Sequence, residues 1–189
     1  MKNIADLLFE AKILKEIPRS GFHFLGKGKE SVAEHSFMVT FIAYMMSETI
    51  PDVDASRLIT MCLVHDFPEA RTGDLNYVQK KYVTADENQA VKDAIEDLPF
   101  GPSLADLIGD FKEGESLEAR LARDADQLAL CLELKSLMDM GFKPSGKWLS
   151  SVSNRLRTEA GKKLYESIMK TNRDAWWLKN YVDELNKIC

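Results

Sequence analysis

Apolar residues recur at intervals of three and four through most of this chain, which is the spacing of one face of an α-helix. The first segment shows the pattern from Ile4 to Leu14, after Asn3 as a cap and before Pro18 as a stop. Alternating runs of β-branched residues are missing from the sequence, and Gly and Pro together supply only 16 of its 189 residues. The pattern predicts an all-α protein.

Two short segments match a capping box, in which a Ser or Thr hydroxyl and a Glu carboxylate each accept a hydrogen bond from the other residue's backbone. Residues 31–34 predict a helix that runs to about Glu48, and residues 84–87 predict another that runs to about Leu98. Between them, Asp54 can cap a third helix that ends before Pro68. These boundaries place His35 in a first helical turn.

The second half of the chain predicts one long helix among shorter ones. Residues 100–102 are expected to break the chain before a short helix over about residues 103–111. A helix from 116 to about 140 is apolar on two sides, which predicts a central, buried position, and Gly141 is expected at its C-cap. Pro144 and Gly146 are expected in a loop before two or three further helices. Because the rings of Trp176 and Trp177 lie about 100° apart on a helix, at least one is expected in the core or, failing that, in a subunit interface.

Length and charge limit the possible classes of protein. We expect one domain over residues 1–189, with the motifs within about 1–140 and C-terminal helices at about 150–189 packed on it. The net charge of −5 and the lack of a Lys/Arg run argue against partners such as nucleic-acid polymers and membranes. Three cysteines without framework spacing and an N-terminus without an apolar targeting segment predict reduced thiols and a soluble, cytoplasmic protein.

The candidate chemistry lies in three places: His35, the adjacent pair His65 and Asp66, and the acids Asp124 and Asp126 inside the long helix. An ionised carboxylate in an apolar interior is costly unless a cation, hydrogen-bond donors or a metal compensates its charge. Arg123 is one candidate partner. A divalent ion held by two imidazoles and two carboxylates is the other. Helical phase does not decide between Asp124 and Asp126.

The order of these residues resembles the H…HD…D signature of the HD-domain metal-dependent phosphohydrolases. Within that superfamily, residues 1–140 are similar to the small 5′-deoxynucleotidases. The segments that carry this resemblance are Pro18-Arg19-Ser20-Gly21-Phe22, Glu30-Ser31-Val32-Ala33-Glu34-His35, His65-Asp66-Phe67-Pro68-Glu69 and Thr72-Gly73-Asp74. The resemblance implies a single compact helical bundle of the HD-domain type.

The same resemblance implies a role for each motif residue. The metal ligands would be His35, His65, Asp66 and Asp126. The catalytic carboxylates would be Glu69 and Asp74, and the substrate would be bound by Arg19 and Phe22. Phe22 departs from the pattern, because close relatives usually carry Trp beside the phosphate-binding Arg. A mixed set of nitrogen and oxygen ligands suits Mn, Co, Fe, Ni, Mg or Zn.

The activity implied is a metal-dependent phosphomonoesterase that hydrolyses nucleoside 5′-monophosphates, above all deoxyribonucleotides, to nucleoside and phosphate. The resemblance also favours a homodimer. The expected binding partner is a small-molecule nucleotide, the substrate. One alternative is another HD phosphohydrolase that acts on guanosine alarmones or cyclic dinucleotides, since such enzymes share the ligands. The other is a non-enzymatic helical module in which these His and Asp side chains are merely hydrogen-bonded and do not converge on one point.

Overall fold

Helices make up most of the computed structural model, which describes residues 1–179 and 181. The helices are α1 (Lys2–Ile13), α2 (Phe22–Leu25), α3 (Val32–Ser47), α4 (Ala55–Val64), α5 (Glu69–Thr72), α6 (Glu87–Ile95), α7 (Gly101–Glu113), α8 (Leu117–Asp139), α9 (Ser145–Ser153) and α10 (Glu159–Lys170). A 3₁₀ turn lies at Gln79–Lys81. The described residues contain no strand, only an isolated antiparallel bridge between Pro18 and Ser31. The all-α prediction is therefore confirmed.

Side-chain caps begin α3, which carries His35, and α4, which is followed by His65. At α3, the Ser31 hydroxyl accepts from the backbone N–H of Glu34 at 3.2 Å, and the Glu34 carboxylate accepts from the backbone N–H of Ser31 at 2.7 Å. This capping box is the one predicted. The predicted cap at α4 is also confirmed, because Asp54 accepts from the backbone N–H of Arg57 at 2.9 Å.

Four local predictions are wrong. Asn3 does not cap the first helix, because α1 begins at Lys2 and contains Asn3. The second capping box does not form, because α6 begins after Asp86, whose carboxylate accepts from the backbone N–H of Gln89 at 2.9 Å. The helix expected from Ser103 begins earlier, since Pro102 lies in its first turn, where a missing N–H costs nothing. Gly146 lies inside α9 rather than in a loop.

The long helix α8 is the centre of the protein, as predicted. It packs against α3, α4, α7, α9 and α10. Its apolar side chains contribute to two core clusters, one containing Leu121 and Leu128 and the other containing Leu134 and Leu137. Side chains from α3 and α4 therefore approach the middle of α8 from one side, while the C-terminal helices cover another.

The C-terminal helices pack on this centre, but the last aromatic residues do not. Trp176 is 81% exposed and Trp177 is 44% exposed, so the expectation of a core position is wrong for the described part of the chain. The interface alternative stays a prediction. Cys62 and Cys131 are unpaired, whereas the prediction for Cys189 lies outside the described residues. None of the described helices is long and apolar enough to cross a membrane.

Candidate metal centre

Three helices bring two imidazoles and a carboxylate to one point. His35 lies in the first turn of α3, His65 directly follows α4, and Asp126 lies in the middle of α8. One potential ligand atom from each residue lies within 4.8 Å of the others. His35 Nε2 and Asp126 Oδ1 are 2.9 Å apart.

The fourth predicted ligand faces the same point. Asp66 Oδ2 lies 3.2 Å from His65 Nε2 and 3.9 Å from His35 Nε2. The sequence motif and the packing therefore converge on one set of two imidazoles and two carboxylates. In the alternative of a non-enzymatic module, these groups were expected to be hydrogen-bonded without converging on one point.

The state of the imidazole nitrogens fits a metal ion. His65 Nδ1 lies 2.8 Å from the carbonyl oxygen of Cys62, so Nδ1 carries a proton and Nε2 is the nitrogen that faces the carboxylates. That Nε2 atom is buried without a hydrogen-bond partner. The second oxygen of Asp126 accepts from the side-chain amide of Gln127 at 3.0 Å, which orients the carboxylate. A divalent cation that replaced the proton on Nε2 would find a buried imidazole nitrogen beside two carboxylates, a donor set of the kind that such ions bind.

The electrostatics keep the carboxylates ionised. Burial acts to raise the pKa of Asp66, but the neighbouring His65 and Arg19 outweigh it and hold that pKa well below its usual range. The pKa of Asp126 is lowered in the same way, since the hydrogen bond with His35 outweighs the effect of burial. Burial lowers the pKa of His35, which favours the neutral imidazole that a metal needs.

Arg19 lies against this cluster in the loop before α2. Its Nη1 atom donates to Asp66 Oδ2 at 3.2 Å and to Asp74 Oδ1 at 3.3 Å. Asp74 Oδ2 also accepts from the backbone N–H of Ser20 at 2.6 Å, so Asp74 holds the Arg19 loop by both of its oxygens. The hydrogen bonds found for the guanidinium in the described structure all use Nη1, which leaves its other edge free to donate two N–H groups to an anion such as phosphate.

Glu69 supplies a further carboxyl group to the same cavity. It is the first residue of α5, is only 8% exposed, and its Oε2 atom has no hydrogen-bond partner. Burial and the nearby carboxylates of Asp66 and Asp74 raise the pKa of Glu69 to about 9. The group is therefore a buried carboxyl with one oxygen available to a ligand.

The cavity in front of the cluster has a volume of about 730 Å³. Phe22 lines it but is only 9% exposed and packs into the core beside Leu137. Sequence reasoning missed Trp148, which reaches the cavity from α9, and an ideal Cβ on Gly21 would lie 3.8 Å from its ring. A single Trp in a segment without a motif offered no signal that could have found it.

The two acids left open by helical phase are now distinguished. Asp124 is fully buried on another side of α8, where it accepts from the backbone N–H groups of Arg157 and Thr158 at 2.7 and 2.8 Å. Arg123, the alternative partner considered for these acids, donates to the carbonyl oxygens of Phe111 and Lys112. Asp124 is therefore a structural acid that holds Thr158, the N-cap residue of α10, while Asp126 faces the histidines.

Comparisons with known proteins agree with this geometry. The family model of the HD domain matches residues 11–169. The bovine 5′-deoxynucleotidase HDDC2 is 26% identical over 149 residues, which cover 76% of this chain and 72% of the relative. A dATP triphosphohydrolase of Salmonella phage PMBT28 is 32% identical over 100 residues, which cover 44% of this chain and 52% of the relative. The crystal structure of the PH0347 protein from Pyrococcus horikoshii has a TM-score of 0.73 at 25% identity and covers 88% of this chain and 98% of that one.

The chain belongs to the HD-domain family. The expectation that it is an enzyme of the HD-domain metal-dependent phosphohydrolases is confirmed. The alternative of a non-enzymatic module is thereby excluded.

Proposed function

We propose that this enzyme hydrolyses nucleoside 5′-monophosphates, deoxyribonucleotides above all, to nucleoside and phosphate. One observation carries the proposal: His35, His65, Asp66 and Asp126 converge beside the guanidinium of Arg19, and all of these residues except the fully buried His35 line a single cavity. The ligand cluster suits a divalent cation and the guanidinium suits a phosphate group. The relatives named 5′-deoxynucleotidase support the same substrate class.

The metal ligands, Arg19 and the two carboxyl groups have separate roles in the proposed reaction. A divalent ion held by the four ligands would polarise a phosphoryl oxygen and lower the pKa of a water molecule, which supplies the nucleophile at neutral pH. Arg19 binds the phosphate through the edge that Asp66 and Asp74 leave free. Glu69, whose raised pKa keeps its carboxyl group protonated near neutral pH, gives that proton to the leaving 5′ oxygen and is protonated again by the proton lost from the attacking water. Asp74 positions Arg19.

The nucleoside is accommodated in the rest of the cavity. Apolar and aromatic side chains form part of its lining, among them Trp148 from α9 and Leu130 from α8. Trp148 is half-buried and presents a ring to the same space as Arg19, so we propose that it stacks on the nucleobase. A cavity of about 730 Å³ is within the usual range for small-molecule sites, about 300–1,000 Å³.

A second substrate class is favoured by one specific observation. Three exposed cationic residues, Lys80, Lys147 and Arg155, line the same cavity in addition to Arg19. They would suit further phosphate groups, and the phage relative is named a dATP triphosphohydrolase. We rank a nucleoside triphosphate second, because these three cations are exposed, whereas Arg19 lies directly against the ligand cluster.

A substrate panel, with the products separated by ion-exchange chromatography, tests the proposal. The purified enzyme is incubated with Mn²⁺, Co²⁺, Mg²⁺ or Zn²⁺ and with ribo- and deoxynucleoside monophosphates, triphosphates, a guanosine alarmone and a cyclic dinucleotide. We expect phosphate release from deoxynucleoside monophosphates, its loss with a chelator and its loss in His65→Ala and Asp66→Ala. Exclusive cleavage of the cyclic dinucleotide, or full activity in either variant, would overturn the proposal.

The homodimer and the cytoplasmic location remain predictions. The outer face of α3 carries Phe37, Phe41 and Tyr44 at helical spacing, which are 65%, 51% and 45% exposed. We propose this face as the dimer contact, and light scattering of Phe37→Glu and Phe41→Glu tests it through the expected shift to the monomer mass. Unpaired Cys62 and Cys131 are in keeping with a reducing compartment.

A further inference from the structure

The two histidines of the metal centre differ at the nitrogen that faces away from it. His65 Nδ1 has an acceptor, the carbonyl oxygen of Cys62 at 2.8 Å. His35 Nδ1 is buried and has no hydrogen-bond partner. Metal-binding imidazoles almost always donate their second N–H to a carboxylate, a carbonyl or a water. His35 therefore needs an acceptor that its own helix does not provide.

When a cation binds, His35 Nδ1 must have a hydrogen-bond acceptor. Without a cation, His35 Nε2 can share a proton with Asp126 Oδ1, 2.9 Å away. A cation at Nε2 takes the lone pair of that nitrogen, so the one remaining proton of the neutral ring must lie on Nδ1. An N–H group inside the protein without an acceptor would then oppose metal binding.

Glu30 is placed to accept that proton. Its Oε2 atom lies 3.8 Å from His35 Nδ1, and Glu30 is itself only 6% exposed. Among the described residues, no other carboxylate lies within 4.0 Å of this nitrogen. A movement of about 1 Å would bring the two atoms to hydrogen-bond length. The carboxylate has room to move, because Glu30 also lines a second cavity of about 790 Å³.

The backbone of Glu30 connects to the substrate side of the site. Its carbonyl oxygen accepts from the backbone N–H of Arg19 at 2.8 Å, next to the bridge between Pro18 and Ser31. This bond does not involve the Glu30 side chain. A side-chain substitution therefore tests the contact with His35 while the backbone contact of the Arg19 loop is kept.

We propose that Glu30 is the positioning residue of the metal centre: its carboxylate accepts the Nδ1 proton of His35 and so holds Nε2 toward the cation. The inference rests on the proposed metal site and assigns a role to a residue that the motif comparison left without one. Glu30 touches neither substrate nor metal and acts through His35.

Two substitutions of similar volume separate a hydrogen bond from simple packing. Glu30→Met keeps the volume and removes the acceptor, whereas Glu30→Gln keeps an acceptor oxygen and removes the charge. We expect Glu30→Met to weaken Mn²⁺ binding about 10–100-fold in isothermal titration calorimetry. Glu30→Gln should weaken Mn²⁺ binding by less than about tenfold, because the amide oxygen still accepts the hydrogen bond, although more weakly than a carboxylate does. Equal Mn²⁺ affinity in Glu30→Met and the unmodified enzyme would overturn the inference.

Glu133→Gln is the matched control. Glu133 is half-buried on α8 and lines the same second cavity, but no contact joins it to His35 in the described structure. This variant should bind Mn²⁺ as the unmodified enzyme does. A loss equal to that of Glu30→Met would show that the cavity's charge, rather than the bond to His35, controls affinity.

A measurement on the unmodified enzyme covers the case in which a variant does not fold. With ¹⁵N-labelled histidine and Zn²⁺ bound, nitrogen chemical shifts report which ring nitrogen carries the proton. We expect His35 to be protonated at Nδ1, and zinc bound through Nδ1 of His35 would overturn the inference. Failure of the unmodified enzyme to bind Mn²⁺, Co²⁺ or Zn²⁺ would instead overturn the proposed function.

Discussion

Asp124 and Asp126 lie two residues apart on α8, and their carboxylates point to different parts of the protein. Asp126 Oδ1 lies 2.9 Å from His35 Nε2, in the candidate metal centre. Asp124 accepts from two backbone N–H groups and from the hydroxyl of Thr158 at 2.6 Å, at the start of α10. A step of two residues turns the helix by about 200°, which explains how one short segment serves both the site and the scaffold.

Exchange of each acid for its amide should separate these roles. Asp124→Asn places an amide N–H₂ among three donors, so we expect the free energy of unfolding to fall by about 1–3 kcal/mol while Mn²⁺ affinity is kept. Asp126→Asn should weaken Mn²⁺ binding by more than about 100-fold. Urea titration and calorimetry measure the two quantities. The assignment fails if Asp124→Asn loses as much metal affinity as Asp126→Asn.

Arg19→Lys should impair the enzyme although the charge is kept. Lysine cannot offer two parallel N–H groups to a phosphate, and it replaces the guanidinium that contacts both Asp66 and Asp74. We expect kcat/KM for a deoxynucleoside monophosphate to fall by about 10²–10³-fold. Arg71→Lys is the matched control, because Arg71 forms its ion pair with Glu10 at the surface. Comparable losses in the two variants would contradict a phosphate-binding role for Arg19.

Trp148→Ala should change substrate binding more than the chemical step. Stacking of a base on an aromatic ring contributes about 1–3 kcal/mol, so KM for a deoxynucleoside monophosphate should rise about tenfold with little change in kcat. Ribose 5-phosphate lacks a base and should be turned over equally by both enzymes. Trp176→Ala, at a ring that is 81% exposed, serves as the control. An unchanged KM in Trp148→Ala would exclude stacking.

The contacts of Asp139 predict a pH dependence of the free energy of unfolding that does not involve the metal centre. Burial acts to raise its pKa, but hydrogen bonds from Lys135 at 2.6 Å and from the backbone N–H of Arg173 at 2.9 Å outweigh it and lower the pKa. A lowered pKa means that Asp139 stabilises the fold above its usual pKa and loses this contribution as the pH falls through the lowered value.

We therefore expect Asp139→Asn to reduce the free energy of unfolding by about 1–3 kcal/mol at pH 7. The difference from the unmodified protein should shrink as the pH falls from about 5 to 2. Urea titrations at several pH values measure it. Glu159→Gln removes an exposed pair with Lys162 and should show no such trend. A difference for Asp139→Asn that stays constant to pH 2 would contradict the assignment.

Local interactions made much of the fold predictable. The hydroxyl of Ser31 and the carboxylate of Asp54 cap the helices that follow them, and these bonds join residues three apart. The capping box predicted at residues 84–87 is wrong for an equally local reason. Asp86 is a good N-cap residue only two positions after Thr84, and it is Asp86 that caps α6. The motif residues His35, His65, Asp66 and Asp126 were named from their order along the chain, which resembles a family, rather than from any derivation of their distances.

The sequence by itself determined the helical periods, two of the caps and the order of the motif residues, because these depend on neighbours within a few positions. Only the tertiary structure decided that Asp124 turns away to the start of α10 while Asp126 lies against His35, that Trp148 enters the cavity and that Glu30 lies behind His35. These relationships join residues on different segments. Helical phase places a side chain on a face, but the packing of α8 among its neighbours determines what that face meets.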